Sequence, residues 1–318
     1  MRDFKPSLVA FVFAAGVCGT PAMVSAAVVP VVSGTAHDAL FAIAFHDAVG
    51  IAVGAGGAIL ESDDAGAHWK RVSPAPTPLA LLGVGLAAGH ALAVGQEGTV
   101  LVMDADGKWV KVDSGTHERL FGVAVNAAGH AVAVGSFGTV LASDDGGVHW
   151  ASIAPDWTHY TDNGEQPHLY AVVIDDHDGI TIAGEFGLIL KSADGGKTWR
   201  LRHRGGASLF GLQLRDDGVG YTVGQDGTVL RTADHGETWN ALDTGSHAIL
   251  LDVESRLDGH VVVTGMHDLL TSADEGKSWT HSGGEAVTAS WLAGAAAVPA
   301  QSAVFAVGLA GQIVRIDH

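Results

Sequence analysis

The sequence predicts an all-β fold: a seven-bladed β-propeller of four-stranded antiparallel blades, closed into a ring by the N-terminal strand. Three observations predict it. Tryptophan recurs at Trp69, Trp109, Trp150, Trp199, Trp239 and Trp279, in steps of about forty residues with one longer step after Trp150. Seven apolar runs end in glycine at Gly54, Gly95, Gly135, Gly184, Gly224, Gly265 and Gly308. A spare apolar run, AVVPVV (Ala27 to Val32), precedes the first unit, while the last unit lacks its fourth run.

Each unit holds four short runs rich in Val and aromatics, separated by Gly and Asp turns and without helical periodicity. In the third unit they are LFGVAV (Leu120 to Val125), HAVAVG (His130 to Gly135), TVLAS (Thr139 to Ser143) and HWASI (His149 to Ile153). We name these strands A to D. The strand-B glycines are expected to allow close approach where adjacent blades narrow toward the axis. The seventh unit offers AVTASW (Ala286 to Trp291), AVFAVG (Ala303 to Gly308) and QIVRID (Gln312 to Asp317) as A, B and C. AVVPVV then supplies its D strand, which leaves no open sheet edge between the termini.

Between C and D lies a repeated turn. LASDDGGVHW (Leu141 to Trp150) places Ser143, Asp145, Gly147 and Trp150 in the order S/T-x-D-x-G-x-x-W. The aspartate recurs as Asp64, Asp145, Asp194, Asp234 and Asp274, and the second unit, MDADGKW, is one residue short. Hydroxyl and carboxylate can bond to backbone N–H groups within the turn, and the glycine can take positive φ. Copies set one per blade cannot converge on one catalytic centre. Nor is DADG (Asp104 to Gly107) a calcium loop, because its twelfth position is Gly115 rather than Glu. These aspartates are therefore read as structural.

Residues 1–26 read as a signal peptide and 27–318 as one propeller. Arg2 and Lys5 precede the apolar run LVAFVFAAGV, and VSA (Val24 to Ala26) offers small residues for cleavage near Ala26. A retained anchor is the alternative. Cys18, the single cysteine, would leave with the signal, so no disulfide or thiol chemistry is expected. The expected location is the periplasm, a comparable lumenal compartment or the exterior. The formal charge of −18 disfavours nucleic acid and acidic headgroups, and it either suits a basic partner or serves solubility alone.

The repeated turn resembles the Asp-box, or BNR repeat, of sialidases, xyloglucanases, sortilin-like receptors and the photosystem II assembly factor family of plastids and cyanobacteria. The continuation AVGSFGTVLASDDGGVHW is most similar to the last family, and the resemblance extends over nearly all of residues 27–318. It implies a seven-bladed propeller, often exported, that acts as an assembly or stability factor for membrane complexes. Many unrelated activities share such propellers.

The C–D and A–B turns are expected on one face, the B–C turns and D–A crossings on the other. Sequence variation concentrates on the second face. There the B–C turns carry Glu97, Phe137, Glu185, Phe186, Asp226 and His267. The longest crossing, Ala154 to His168, carries Trp157 and Tyr160, read either as binding anchors or as rings folded back over the rim. Phe137 and Phe186 are read either as partner contacts or as inter-blade packing. Arg202 and Arg204, in RHRGG on another crossing, form a basic island that docks a carboxylate or headgroup, or else a solvated loop. His37, His117 and His247 each precede a strand A. They brace the crossings or, less simply, share a metal.

No cofactor, catalytic residue or metal site is assigned. A sialidase-like enzyme would need three clustered arginines and a Tyr paired with a carboxylate, and the few tyrosines are Tyr160, Tyr170 and Tyr221. The expected function is a non-catalytic exported scaffold or assembly factor that binds a membrane or periplasmic protein complex through one face. The alternative is an exported glycan-binding or glycoside-hydrolysing propeller.

Overall fold

A computed structural model describes residues 26–282, 284–299 and 301–317. Residues 1–25, which hold most of the expected signal peptide and Cys18, lie outside the described residues. From Ala27 to Asp317 the chain forms seven four-stranded antiparallel sheets. The innermost strands are Leu40–His46, Leu81–Ala87, Leu120–Val125, Leu169–Ile174, Leu209–Leu214, Leu250–Ser255 and Leu292–Ala297. Each packs against the inner strands of the two neighbouring blades, so they close a ring around a central channel. The outermost strand of the seventh blade is Ala27–Val32, paired antiparallel with Ile313–Asp317. This is the closure expected from the sequence.

Two readings are corrected. In the seventh unit, AVTASW is not a strand: Glu285–Thr288 forms one helical turn, and strand A is Leu292–Ala297. The strand-B glycines do admit close approach, but within a blade rather than between blades. A Cβ on Gly54 would lie 2.0 Å from the Ala39 carbonyl oxygen, and one on Gly224 would lie 1.9 Å from that of Ser208. In every blade this carbonyl, just before strand A, accepts from the N–H that follows the glycine; Ser136 N to Arg119 O is 2.9 Å. Opposite each glycine sits the first residue of strand A, always Leu, and all seven leucines are buried. The next residue is an unpaired bulge, so the register shifts between Leu120 and Gly122 and at the matching place in each blade. A bulge re-aims its side chain, and here that fixes what rings the channel.

The Asp-box turns are closed by side chains, as the motif predicts. Ser143 Oγ accepts from Gly147 N at 2.9 Å and donates to Asp145 Oδ1 at 2.9 Å. Asp145 Oδ1 accepts from His149 N at 2.9 Å, and Gly147 has φ of 90°. The same bonds recur at Ser62, Ser192, Thr232 and Ser272. Donors surrounding these carboxylates hold Asp64, Asp194 and Asp234 down at about 2. Trp150 Nε1 caps Gly147 O at 2.7 Å. The shortened second copy differs: Trp109 Nε1 instead reaches Glu61 of the first blade, at 2.8 Å.

Polar side chains clasp the last three inner strands. Gln213 of blade five donates to Glu254 Oε1 at 2.7 Å and accepts from Ser255 N at 2.7 Å. Asp252 of blade six accepts from Ala295 N of blade seven at 2.9 Å. The other inner strands place Ala, Gly or Val at these positions. Burial raises Asp252 to about 6, opposed by the Ala295 and Val253 N–H groups. Burial first, then the charge of Asp252, raises Glu254 to about 8. Gln213 and the Ala297 N–H oppose that rise, as does the nearby Arg256.

Ser143→Ala orphans the buried Gly147 N–H and should cost about 1–3 kcal/mol, read as a lowered denaturation midpoint. Asp252 and Glu254 titrate above their unfolded values near 4. Their contribution to stability is therefore full below about pH 4 and is lost as the pH rises through about 6 and about 8. Glu254→Gln should flatten the fall in melting temperature between about pH 5 and pH 9. The difference from wild type isolates Glu254 from His130, which its bond to Asp178 also raises and whose contribution fades in the same direction.

Candidate functional site at the channel mouth

The structure sorts the loops onto two faces as the sequence suggests. Gly146 N donates to Gly129 O, joining a C–D turn to an A–B turn. On the other face Gly138 N donates to Pro167 O and Gly205 N to Phe186 O, joining B–C turns to D–A crossings. On that second face, the tip of each B–C turn lies in the left-handed region. The tip residues are Gly56, Glu97, Phe137, Phe186, Asp226, His267 and Ala310, with φ between 51° and 62°. Glycine or asparagine suits such a position; a bulky or branched side chain there is strained. Only the first blade uses glycine. Five of the sequence-derived candidates, Glu97, Phe137, Phe186, Asp226 and His267, occupy these tips.

Their surroundings differ. Phe137 is 58% exposed, its ring edge-on to His168 at 5.0 Å, and its N–H donates to His168 Nδ1 at 3.1 Å. Glu97 is exposed and, with His117, Arg119, Phe137 and His168, lines an open cleft of about 460 Å³. Phe186 is half-buried and Asp226 exposed. His267 Nδ1 lies 3.0 Å from Thr288 O. Glu185 precedes a tip rather than forming one; its carboxylate accepts from His168 N at 2.8 Å.

Other candidates lie elsewhere. Trp157 is not a surface anchor: it is 6% exposed, packs with Val134, Leu169 and Leu188, and donates to Gly138 O at 3.3 Å. Tyr160 is half-buried and donates to Trp199 O at 2.8 Å. Both rings hold the long crossing down because its apolar atoms have a core beneath them to join. Arg202 is not on a crossing. It lies in strand D, Arg200–His203, and pairs with Glu237 in the Asp-box turn of blade five at 2.7 Å. Arg204 is on the crossing but pairs with Asp162 at 2.9 Å. His37, His117 and His247 are exposed. Among the described residues no group of three or more His, Cys, Asp or Glu side chains could hold a metal ion.

Sequence reading missed the channel mouth itself. The bulge residue after each strand-A leucine is Phe41, Leu82, Phe121, Tyr170, Phe210, Leu251 or Ala293. Rings from successive blades touch: Phe121 to Tyr170 at 5.2 Å and Tyr170 to Phe210 at 4.9 Å. Where blade seven has Ala293, Phe41 stacks on Trp291 instead, at 5.9 Å and 1°. The Arg119 guanidinium lies 6.0 Å from the centre of Phe121. Burial, then Glu185, pushes the Tyr170 phenol up to about 12. Exposed Ile249, Met266 and Leu309 continue the apolar surface across blades six and seven. The recurring Leu-aromatic pair at the start of strand A was the available signal.

Similarity to known proteins matches this architecture. Residues 101–209 match the family model for the photosynthesis system II assembly factor YCF48. No curated protein matches the chain. YCF48 from Cyanidioschyzon merolae is 19% identical, with 92% of this chain and 99% of that one covered, at a TM-score of 0.72. A structure of YCF48 bound to a D1 peptide is 16% identical over 94% and 99% of the two chains, at 0.70. The WD40 repeats of RRP9 reach 0.71 at 10% identity over 91% and 97%. Structural likeness at such identities establishes the fold: the chain is a seven-bladed propeller that resembles the YCF48 family over residues 101–209.

Proposed function

We propose that this protein is an exported, non-catalytic scaffold or assembly factor. It binds a protein of a membrane or periplasmic complex through the face formed by the B–C turns and D–A crossings. The carrying observation is the strain at the turn tips. Glu97, Phe137, Phe186, Asp226 and His267 occupy left-handed backbone where glycine would be relaxed. Such a residue costs roughly 1 kcal/mol or more relative to glycine, and these five side chains, unlike that of Ala310 at the seventh tip, are ones that can engage a partner. Phe137, strained and largely exposed, adds nothing to the core that would offset this cost.

Two further points support the reading. YCF48, which the family model describes and whose structure includes a bound D1 peptide, suggests that the partner is engaged through a peptide segment. The N-terminal charge and apolar run suggest export, with cleavage near Ala26. N-terminal sequencing of protein from the envelope fraction should then begin at Ala27; a cytoplasmic, full-length chain overturns export.

The binding test sets stability against function. Phe137→Gly and Phe186→Gly should each raise the unfolding free energy, by about 1 kcal/mol at the exposed Phe137 and less at half-buried Phe186. Both should reduce recovery of the partner in an envelope pull-down. A stabilised variant that recovers every specific partner as wild type does removes this face from the proposal. Sugar release above blank in a glycosidase screen removes the non-catalytic assignment.

A further inference from the structure

The charge around the channel mouth is one-sided. On this face Arg119 and Arg204 are the only lysine or arginine side chains in the B–C turns and D–A crossings, and Arg204 is already held by Asp162. Carboxylates are plentiful there: Glu97, Glu118, Glu185, Asp226 and Asp268 all stand on these loops. Below the mouth, the seven inner strands carry no lysine or arginine at all. The carboxylates on these loops therefore set a negative potential over the mouth. The aromatic rings of blades three to five stand at the entrance to that field. Their faces attract cations, and Arg119 beside Phe121 is an instance within the protein itself.

We infer that the mouth takes a lysine or arginine side chain from an extended segment of the partner, seated over Tyr170 and Phe210 beside Glu185. The inference rests on the partner-binding face proposed above and names its chemistry. Tyr170 and Phe210 are the available rings because Arg119 already occupies the neighbourhood of Phe121. Glu185 is the fitting counter-charge. It is anchored by the His168 N–H, lies against the Tyr170 phenol, and has no ion-pair partner among the described residues. The cleft lined by Glu97, Phe137 and His168 opens beside the rings and accommodates the flanking backbone. An acidic segment would meet these carboxylates with only Arg119 to answer them.

The test uses the folded chain and three capped pentapeptides, Gly-Lys-Gly-Arg-Gly and its Glu and Ser counterparts, titrated by calorimetry at low salt. The cationic peptide should bind at least about tenfold more tightly than either counterpart and weaken as salt rises. Phe210→Leu keeps the apolar volume and removes the ring face. Glu185→Gln keeps an acceptor for His168 and removes the charge. Each should weaken the cationic peptide about three- to tenfold with the melting temperature unchanged. Arg119→Ala removes a competing positive charge and should strengthen it. Equal affinity for the three peptides, preference for the acidic one, no binding of the cationic one, or indifference to both Phe210→Leu and Glu185→Gln overturns the inference. A partner still captured through Phe137, with no charge preference among the peptides, leaves the face in place and discards only its cationic selectivity.

Discussion

The ring depends on the pairing of Ala27–Val32 with Ile313–Asp317. Within blade seven this strand is held to the C-terminal strand by backbone hydrogen bonds and half-buried valines, and the chain then runs on through residues 33–39 into blade one. Seven blades leave no exposed lateral edge once this pair forms. Everything at the channel inherits its position from it, because each inner strand is set by contact with the two beside it. The small residues of the inner strands follow from the same crowding. A Cβ on Gly83 would lie 2.8 Å from Phe121 O, and one on Gly122 would lie 2.9 Å from Tyr170 O.

Closure also separates two kinds of turn. On the Asp-box face, five C–D turns satisfy their own backbone donors with a hydroxyl and a carboxylate, and the shortened turn of blade two does so with Asp104 alone. These residues are used up by the fold. On the opposite face, the strand-B glycine and the carbonyl before strand A lock the base of each B–C turn. The tip above that base is less constrained, so its identity varies: Gly, Glu, Phe, Phe, Asp, His, Ala. A rigid base under a variable tip is how a repeat scaffold presents binding residues without losing its shape.

The architecture was readable because its signals are local and repeated. A turn of fixed composition at a period of about forty residues is visible in one sequence, and the spare strand completed the count. Trp157 and Arg202 were harder for physical reasons. An aromatic in a long loop can face solvent or core with the same neighbours in sequence, and the core beneath Trp157 comes from blades three and four, distant along the chain. Arg202 was assigned to a loop because short outer strands such as Arg200–His203 carry little apolar pattern. The mouth was missed because the ring at position two of strand A points there through a bulge. Strict alternation would place it in the sheet face instead.

Blade six breaks the inner-wall pattern in a way that ties stability to the channel's charge. Where other inner strands carry small or apolar side chains, Asp252 uses a carboxylate to reach the exposed N–H edge of blade seven, while Glu254 bonds the amide of Gln213. A carboxylate there is poorly solvated, and its neighbours supply no full positive charge on the inner strands. The arrangement therefore holds blades five, six and seven together through hydrogen bonds whose strength depends on proton occupancy. Near neutral pH the wall carries no full pair of charges, because Glu254 holds its proton up to about 8 while Asp252 ionises through about 6. An apolar pair would have packed the seam without any dependence on pH. The acids of the seam therefore serve the fold, and the carboxylates that meet a partner as charges are those on the loops above.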